Sequence, residues 1–170
     1  MSLKRVLDAR SVAVIGASRD EKKRGFHVVR ALIDTRFEGP VYPVNPREET
    51  VLGLRCYPSV LDIDGTVDIA LIATPAETLP AILKQCGEKG LAGAVIVAAG
   101  FGELGAGGKR AQDEIVRIAA RYGVRILGPN TNGMMNVHTG LNLVGLTDVP
   151  KGDIALLSQS GNMALHLITE

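Results

Sequence analysis

The sequence predicts an α/β fold built around a doubly wound, mainly parallel sheet. Three observations carry that expectation. Five short runs are rich in Val and Ile and apolar at consecutive positions, as in strands buried on both faces rather than one. Amphipathic helical patterns separate most of them, so the order is strand, helix, strand. The runs give way to Gly, Pro or Asn, residues that turn a chain out of a sheet.

The strand segments are "SVAVIGA" (11–17), "VYPVN" (41–45), "VDIALIAT" (67–74), "GAVIVAAG" (93–100) and "RILGP" (125–129). The first helix, "GFHVVRALIDTR", places Phe26, Val29 and Ile33 on one face with Val28 and Leu32 beside them. "SVLDI" (59–63) reads as a short helix. "AETLPAILKQCGEKG" aligns Leu79, Ile82, Leu83 and Cys86, with Pro80 in the first turn, where its missing N–H costs least. "KRAQDEIVRIAARYG" aligns Ala111, Ile115, Ile118, Ala119 and Tyr122, and Gly123 is the expected stop. Right-handed crossovers then place helices on both faces of the sheet.

After Asn130 the pattern changes. Residues 131–152 are rich in Gly, Asn and Thr and read as a long, largely irregular connection. "DIALLS" (153–158) reads as a new strand leading into a helix within "QSGNMALHLITE". One strand and one helix cannot bury their own apolar faces. Residues 1–147 are therefore expected to form one Rossmann-like domain, and 148–170 the truncated start of a second α/β domain.

Composition narrows the function. Hydrophobic residues make up 46% of the chain, enough for a core without covalent staples. No segment has the length and apolarity of a membrane span, and the first residues do not read as a signal peptide. Cys56 and Cys86 lack metal-ligand spacing and read as reduced thiols of a cytoplasmic protein. Residues 1–47 carry a net charge of +5 and the remainder −4, so positive charge gathers around the opening loop. That suits an anionic small molecule. Aromatic residues are 4% and Trp is absent, which disfavours nucleic acid as a partner.

The first loop sets the central question. A standard dinucleotide site reads G-x-G-x-x-G, with an acid about 20 residues on that binds the ribose. Gly16 fills the first position, but Ser18 and Glu21 stand at the others, and Asn45 ends the second strand in place of the acid. NAD is disfavoured; NADP fits better, since Arg47 suits a 2′-phosphate. Ser18, Arg19, Lys22, Lys23 and Arg24 still suit phosphates at a helix start. The residues alone leave open an anion site and an ordinary exposed loop. The other strand ends, "ATPAET", "AAGFGELG" and "GPNTNG", bring Pro75, Gly100, Gly102, Gly105 and Asn130 to the same edge.

Seven segments in order, "VIGAS", "GPVYPVNP", "VLGLRCYPSVLDI", "VDIALIATPAE", "AGFGE", "RILGPN" and "PKGDIALLSQSG", resemble the CoA-binding domain of NDP-forming acyl-CoA synthetases. That group includes ADP-forming acetyl-CoA synthetase and the succinyl-CoA synthetase α subunit. The resemblance runs along essentially the whole chain and implies coenzyme A as ligand. It places Gly16, Ala17, Ser18 and Arg19 on the phosphates with Lys23 assisting, Val44 and Asn45 against the adenosine, and Arg47 near the 3′-phosphate. Pro75 and Asn130 line the cleft, and Gly100, Phe101, Gly102 and Glu103 border the pantetheine arm. Many relatives carry Cys directly after GPN where this chain has Thr131, so Thr131 and Asn132 are left without a role.

The resemblance also implies that "SQSG" opens a helix cradling a phosphorylated histidine, through Ser158, Ser160 and the N–H groups of Gly161 and Asn162. Read without it, the serine is a structural helix cap. The implied reaction is acyl-CoA + NDP + phosphate ⇌ acid + CoA + NTP. His27, His138 and His166 do not match the phosphohistidine motif, which the family carries in a further domain. NDP, NTP and Mg2+ belong to an ATP-grasp domain or β-type subunit, so these 170 residues are expected to be inactive alone. Two alternatives stand beside this reading. One is a non-catalytic CoA- or nucleotide-sensing module, such as the regulatory part of a lysine acetyltransferase. The other is an NADP-binding oxidoreductase domain.

Overall fold

The computed structural model describes residues 3–169. The elements are α1 (Lys4–Leu7), β1 (Val12–Ile15), α2 (Arg24–Asp34), β2 (Val41–Val44), a hairpin of β3 (Thr50–Val51) and β4 (Leu54–Arg55), β5 (Ile69–Ile72), α3 (Leu79–Lys89), β6 (Gly93–Ile96), α4 (Ala106–Tyr122), β7 (Arg125–Leu127), a second hairpin of β8 (Met135–Asn136) and β9 (Leu141–Asn142), and α5 (Gly161–Thr169). Short 3₁₀ turns at Val60–Asp62, Ala76–Thr78 and Gly102–Leu104 lie between them. The five expected strands form one parallel sheet in the order β2-β1-β5-β6-β7.

Side-chain alternation explains why helices cover both faces. Val12 and Val14 of β1 pack with Val28, Val29 and Leu32 of α2, together with Ile69 and Leu71 of β5. Their neighbours Ala13, Ile15, Ala70 and Ile72 point the other way, against Leu79, Leu83 and Cys86 of α3 and Ile115 and Ala119 of α4. A strand with cores on both sides needs apolar residues at successive positions, which is the pattern that marked the runs. Gly90 and Gly123 end α3 and α4 in the left-handed conformation, as a helix stop requires. Cys56 and Cys86 are free and buried, and burial pushes the Cys86 thiol up to about 12.

Several details differ from the sequence reading. Ile33 is 42% exposed: the buried stripe of α2 runs through Phe26, Val28, Val29, Ala31 and Leu32 instead. Ala111 is likewise on the solvent side of α4, and that helix begins earlier than its apolar pattern, at Ala106. Residues 131–152 are not merely irregular. The β8–β9 hairpin folds onto the α2 face, and Leu141 and Leu143 are fully buried there. Asn142 between them is buried too, and its side chain is satisfied by the amides of Val144 and Gly145 and the carbonyl of Leu146.

The stretch 153–158, read as a strand, has no ladder partner among the described residues and is not a strand. Ile154 and Leu157 are 94% and 96% exposed. Strand character requires a neighbour to accept its hydrogen bonds, and an apolar run does not supply one. The helix after it does form, as α5, but buries none of its residues.

One close approach fixes the start of α2. A Cβ placed on Gly25 would lie 2.1 Å from the carbonyl oxygen of Gly16. Gly25→Ala is therefore expected to destabilise the domain by about 1–3 kcal/mol through overpacking. Gly107→Ala, in α4 with nothing within 4 Å of the new methyl, is expected to stabilise it by about 0.5–1 kcal/mol. Urea unfolding of both variants checks the pair. Leu141→Ala should cost about 2–5 kcal/mol if the second hairpin belongs to the domain core; a midpoint unchanged from wild type would contradict this.

Candidate functional site

The sheet is parallel and its strands are in level register. Ile15, Val44, Ile72 and Ile96 sit side by side at its carboxyl edge. The segments that follow them, and the one that follows Leu127 of β7, therefore emerge on one edge. Gly16–Arg19, Asn45–Arg47, Pro75, Gly100–Glu103 and Asn130 are brought together by this geometry alone. The chain turns to opposite sides after β1 and β5, and a ligand crevice opens where such a sheet reverses direction.

At that point Gly16 has φ +87°, and a Cβ on it would meet the carbonyl oxygen of Ala73 at 2.8 Å. Its N–H donates to the Val44 carbonyl. The loop then projects outward. Ser18 Oγ accepts from the Asp20 amide at 3.1 Å, and Asp20 from the Lys22 amide at 2.9 Å. Ala17 is fully buried, and its carbonyl accepts from the Asn45 side-chain amide at 2.7 Å. Asn45 Oδ1 also accepts from the Arg47 N–H at 3.0 Å. One amide side chain thus ties the loop after β1 to the turn after β2, which explains why Asn suits the place of a ribose-binding acid.

Arg19 Nε donates to Glu48 Oε2 at 2.5 Å. Arg47 is exposed, and its guanidinium makes no hydrogen bond or ion pair among the described residues. Lys22 and Lys23 are exposed as well. Val44 is buried to 4% exposure and Phe101 to 1%. Both side chains serve the core, so any ligand contact they make is through backbone or a narrow edge.

Pro75 is exposed and opens the 3₁₀ turn before α3, where Thr74 and Thr78 share a hydroxyl hydrogen bond of 2.8 Å. Gly100 has φ +108°. Its N–H donates to Glu103 Oε1 at 2.6 Å, and backbone hydrogen bonds, that of Gly100 foremost, hold the Glu103 carboxyl below the usual carboxylate range. Glu103 therefore closes the turn after β6 on itself. The Gly102 N–H donates to Gln112 of α4. Asn130, at φ +57°, donates its N–H to the Ala98 carbonyl and links the last two strand ends.

The "SQSG" turn reaches this edge as well. Ser160 caps α5, its hydroxyl accepting from the Met163 amide, while Ser158 Oγ accepts from the Ser160 N–H. A Cβ on Gly161 would lie 2.3 Å from the Asn132 side-chain nitrogen, so α5 begins against the segment that follows Asn130. Asn162 is exposed in the first turn.

Gly25 and Glu48 of this site were not singled out by the sequence, Asn132 was left without a role, and Arg24 was read as one of the phosphate-side cations. Gly25 provides the close helix-to-strand approach that the last glycine of a standard fingerprint provides; the signal was a glycine at the helix start, displaced by a longer loop. Arg24 is a support rather than a ligand cation. Partly buried, with its pKa lowered by burial, it donates to the Asn132 and Leu143 carbonyls. Asn132 and Glu48 contact partners far away in sequence, which no local pattern announces. Among the described residues, no three His, Cys, Asp or Glu side chains are grouped to hold a metal, and no helix is long and apolar enough to cross a membrane.

Comparison with known proteins agrees with this geometry. The family described as "CoA binding domain" matches residues 10–137. The chain is 48% identical over 159 residues to the α subunit of acetate–CoA ligase [ADP-forming] II from Pyrococcus furiosus, covering 94% of this chain and 35% of that subunit. It is 43% identical over 160 residues to the acetate–CoA ligase [ADP-forming] of Methanocaldococcus jannaschii, covering 94% of this chain and 22% of that enzyme. The dinucleotide-forming acetyl-coenzyme A synthetase 1 of Ca. Korarchaeum cryptofilum, solved with phosphate and ADP, superposes with a TM-score of 0.94 at 37% identity, over 99% of this chain and 36% of that one. The chain spans about a third or less of these relatives. They are acyl-CoA ligases, and they favour neither the oxidoreductase nor the sensing alternative. With its edge of glycines, amides and cations at the reversal of a parallel sheet, the chain belongs to the CoA-binding domain family, in the form shared with ADP-forming acyl-CoA ligases.

Proposed function

We propose that this chain is the CoA-binding portion of a cytoplasmic acyl-CoA synthetase of the NDP-forming type. The enzyme interconverts acyl-CoA, NDP and phosphate with the acid, CoA and NTP. The observation that carries the reading is Arg47: an exposed guanidinium with no partner among the described residues, in the turn after β2, two residues from an Asn that ties the neighbouring loops together. An NAD site needs an acid there; a ligand with a ribose phosphate needs a cation. The 3′-phosphate of CoA meets that need.

Each group has a defined task in this reading. The loop from Gly16 to Arg19, with Lys23, takes the diphosphate at the start of α2, where free N–H groups and the helix dipole favour anions. Asn45 and the backbone of Val44 border the adenosine, and Pro75 and Asn130 its cleft. Gly100, Gly102 and Glu103 border the pantetheine arm, and Gly100 leaves room for it at a positive φ. The start of α5, with Ser158, Ser160, Gly161 and Asn162, receives the phosphoryl group carried by a histidine of another domain. NDP, NTP and Mg2+ are handled by further domains or an ATP-grasp subunit. Residues 148–170 belong to the domain that follows the first 147. The phosphoryl carrier in this reading is a histidine outside this chain; of the chain's own, His138 bonds the Gly152 carbonyl and His27 stacks edge-on to Phe26.

Two measurements test the site. Arg47→Ala should weaken CoA binding by about tenfold, the lower end for loss of a charge-assisted hydrogen bond, and leave 3′-dephospho-CoA unaffected in a calorimetric titration. Equal losses for both ligands would remove Arg47 from the 3′-phosphate, and preference for NADP over CoA would sink the whole reading. The Glu103 carboxyl titrates below its unfolded value, so its bond to the Gly100 amide is fully present above that value. The bond is lost as pH falls through the depressed folded one. The Gly100 amide resonance should therefore move in acid with a midpoint below that of an ordinary glutamate, and Glu103→Gln should abolish the transition.

A further inference from the structure

The phosphate-binding loop already holds an anion from within the chain. Glu48 Oε2 accepts from Arg19 Nε at 2.5 Å, and Glu48 Oε1 accepts from the Arg19 backbone N–H at 3.4 Å. These donors are of the kind a phosphate takes at such a loop: one guanidinium N–H and one main-chain amide. The Glu48 side chain is only 14% exposed, whereas that of Arg19 is 73% exposed. The carboxylate is thus anchored by its surroundings and the arginine is the free partner. Glu48 is kept in place because the turn after β2 is held by Asn45, whose carbonyl also accepts from the Glu48 amide at 3.3 Å.

We propose that Glu48 is an intramolecular competitor for Arg19, which the diphosphate of the incoming nucleotide must displace from the loop. The inference rests on the CoA reading given above. Its chemistry is exchange of one anion for another, with no covalent step: two hydrogen bonds to a carboxylate break and two to phosphate oxygens form. Because a diphosphate carries more charge than a carboxylate, the exchange favours the ligand. A singly charged or neutral ligand lacks that advantage, so the pair also selects for polyanions.

Calorimetric titration of CoA and of ADP into wild type, Glu48→Gln, Arg19→Ala and the double variant tests this. The ion pair is exposed on one side, and its loss should tighten binding of both ligands by about two- to fivefold. In the Arg19→Ala background, Glu48→Gln should change nothing, since no partner remains to be released. General repulsion by Glu48 would instead persist without Arg19 and would overturn the proposal. Binding that Glu48→Gln leaves equal or weaker, while wild type binds CoA, overturns this inference alone; failure of all four proteins to bind CoA overturns the CoA reading with it. An independent readout on wild type is the Arg19 Nε–H resonance with the Glu48 carboxyl carbon. Both should shift as CoA saturates the protein, and a carboxyl signal unmoved at saturation would refute displacement.

Discussion

No side chain fits between Gly16 and Gly25, and the geometry of the site follows from that. The carbonyl of Gly16 occupies the space a Cβ on Gly25 would need, while Gly16 itself backs onto the carbonyl of Ala73. Strand β1, the start of α2 and the end of β5 are thereby drawn to one point. The residues between the two glycines cannot lie in this contact, apart from the buried Ala17, so they form a rim. That rim carries Ser18, Arg19, Lys22 and Lys23. The fold thus brings Arg19, Lys22, Lys23 and helix N–H groups to the reversal of the sheet while leaving those three cations exposed, and avoids the large desolvation cost of an interior anion site.

Polar contacts then join strand ends that the sheet leaves independent. Asn45 bridges β2 to the first loop, Asn130 bridges β7 to β6, and Arg24 bridges the start of α2 to the carbonyls of Asn132 and Leu143. The Arg24 contacts explain why the second hairpin belongs to this domain. A partly buried guanidinium needs acceptors, and the segment 131–145 brings two of them. In return Arg24 holds Asn132 where α5 begins. Mutations in the hairpin would therefore reach the edge through Arg24 rather than through the sheet.

The division between what the sequence discloses and what it hides follows from the range of each interaction. Burial on both faces imposes a local pattern, so the five parallel strands and three long helices were readable from residues such as Val12–Ile15 and Leu79–Cys86. That the candidate site residues share one edge was readable because parallel strands must all end on it. Contacts between distant residues leave no such trace: Arg19 with Glu48, Arg24 with Leu143, and Gly25 with Gly16 pair positions up to 119 residues apart. Ile33 misled because the buried stripe of α2 passes through Leu32 in its last turn, which turns Ile33 toward solvent. Phe101 stood among site glycines, yet is core.

The segment 153–158 separates hydrophobicity from pairing. Its apolar residues satisfy every local criterion for a buried strand, and the chain from which they come has a well-filled core elsewhere. What it lacks among the described residues is a second strand to bond and a surface to cover, and α5 beside it keeps Met163 and Leu167 largely exposed. A strand and a helix with outward apolar faces are stable only against further elements, whereas the sheet of β1, β2, β5, β6 and β7 is already covered on both faces. Residues 153–158 and α5 therefore stay outside that core, with Ile154 and Leu157 exposed. The start of α5 is nevertheless fixed, against Asn132 at the carboxyl edge of that sheet.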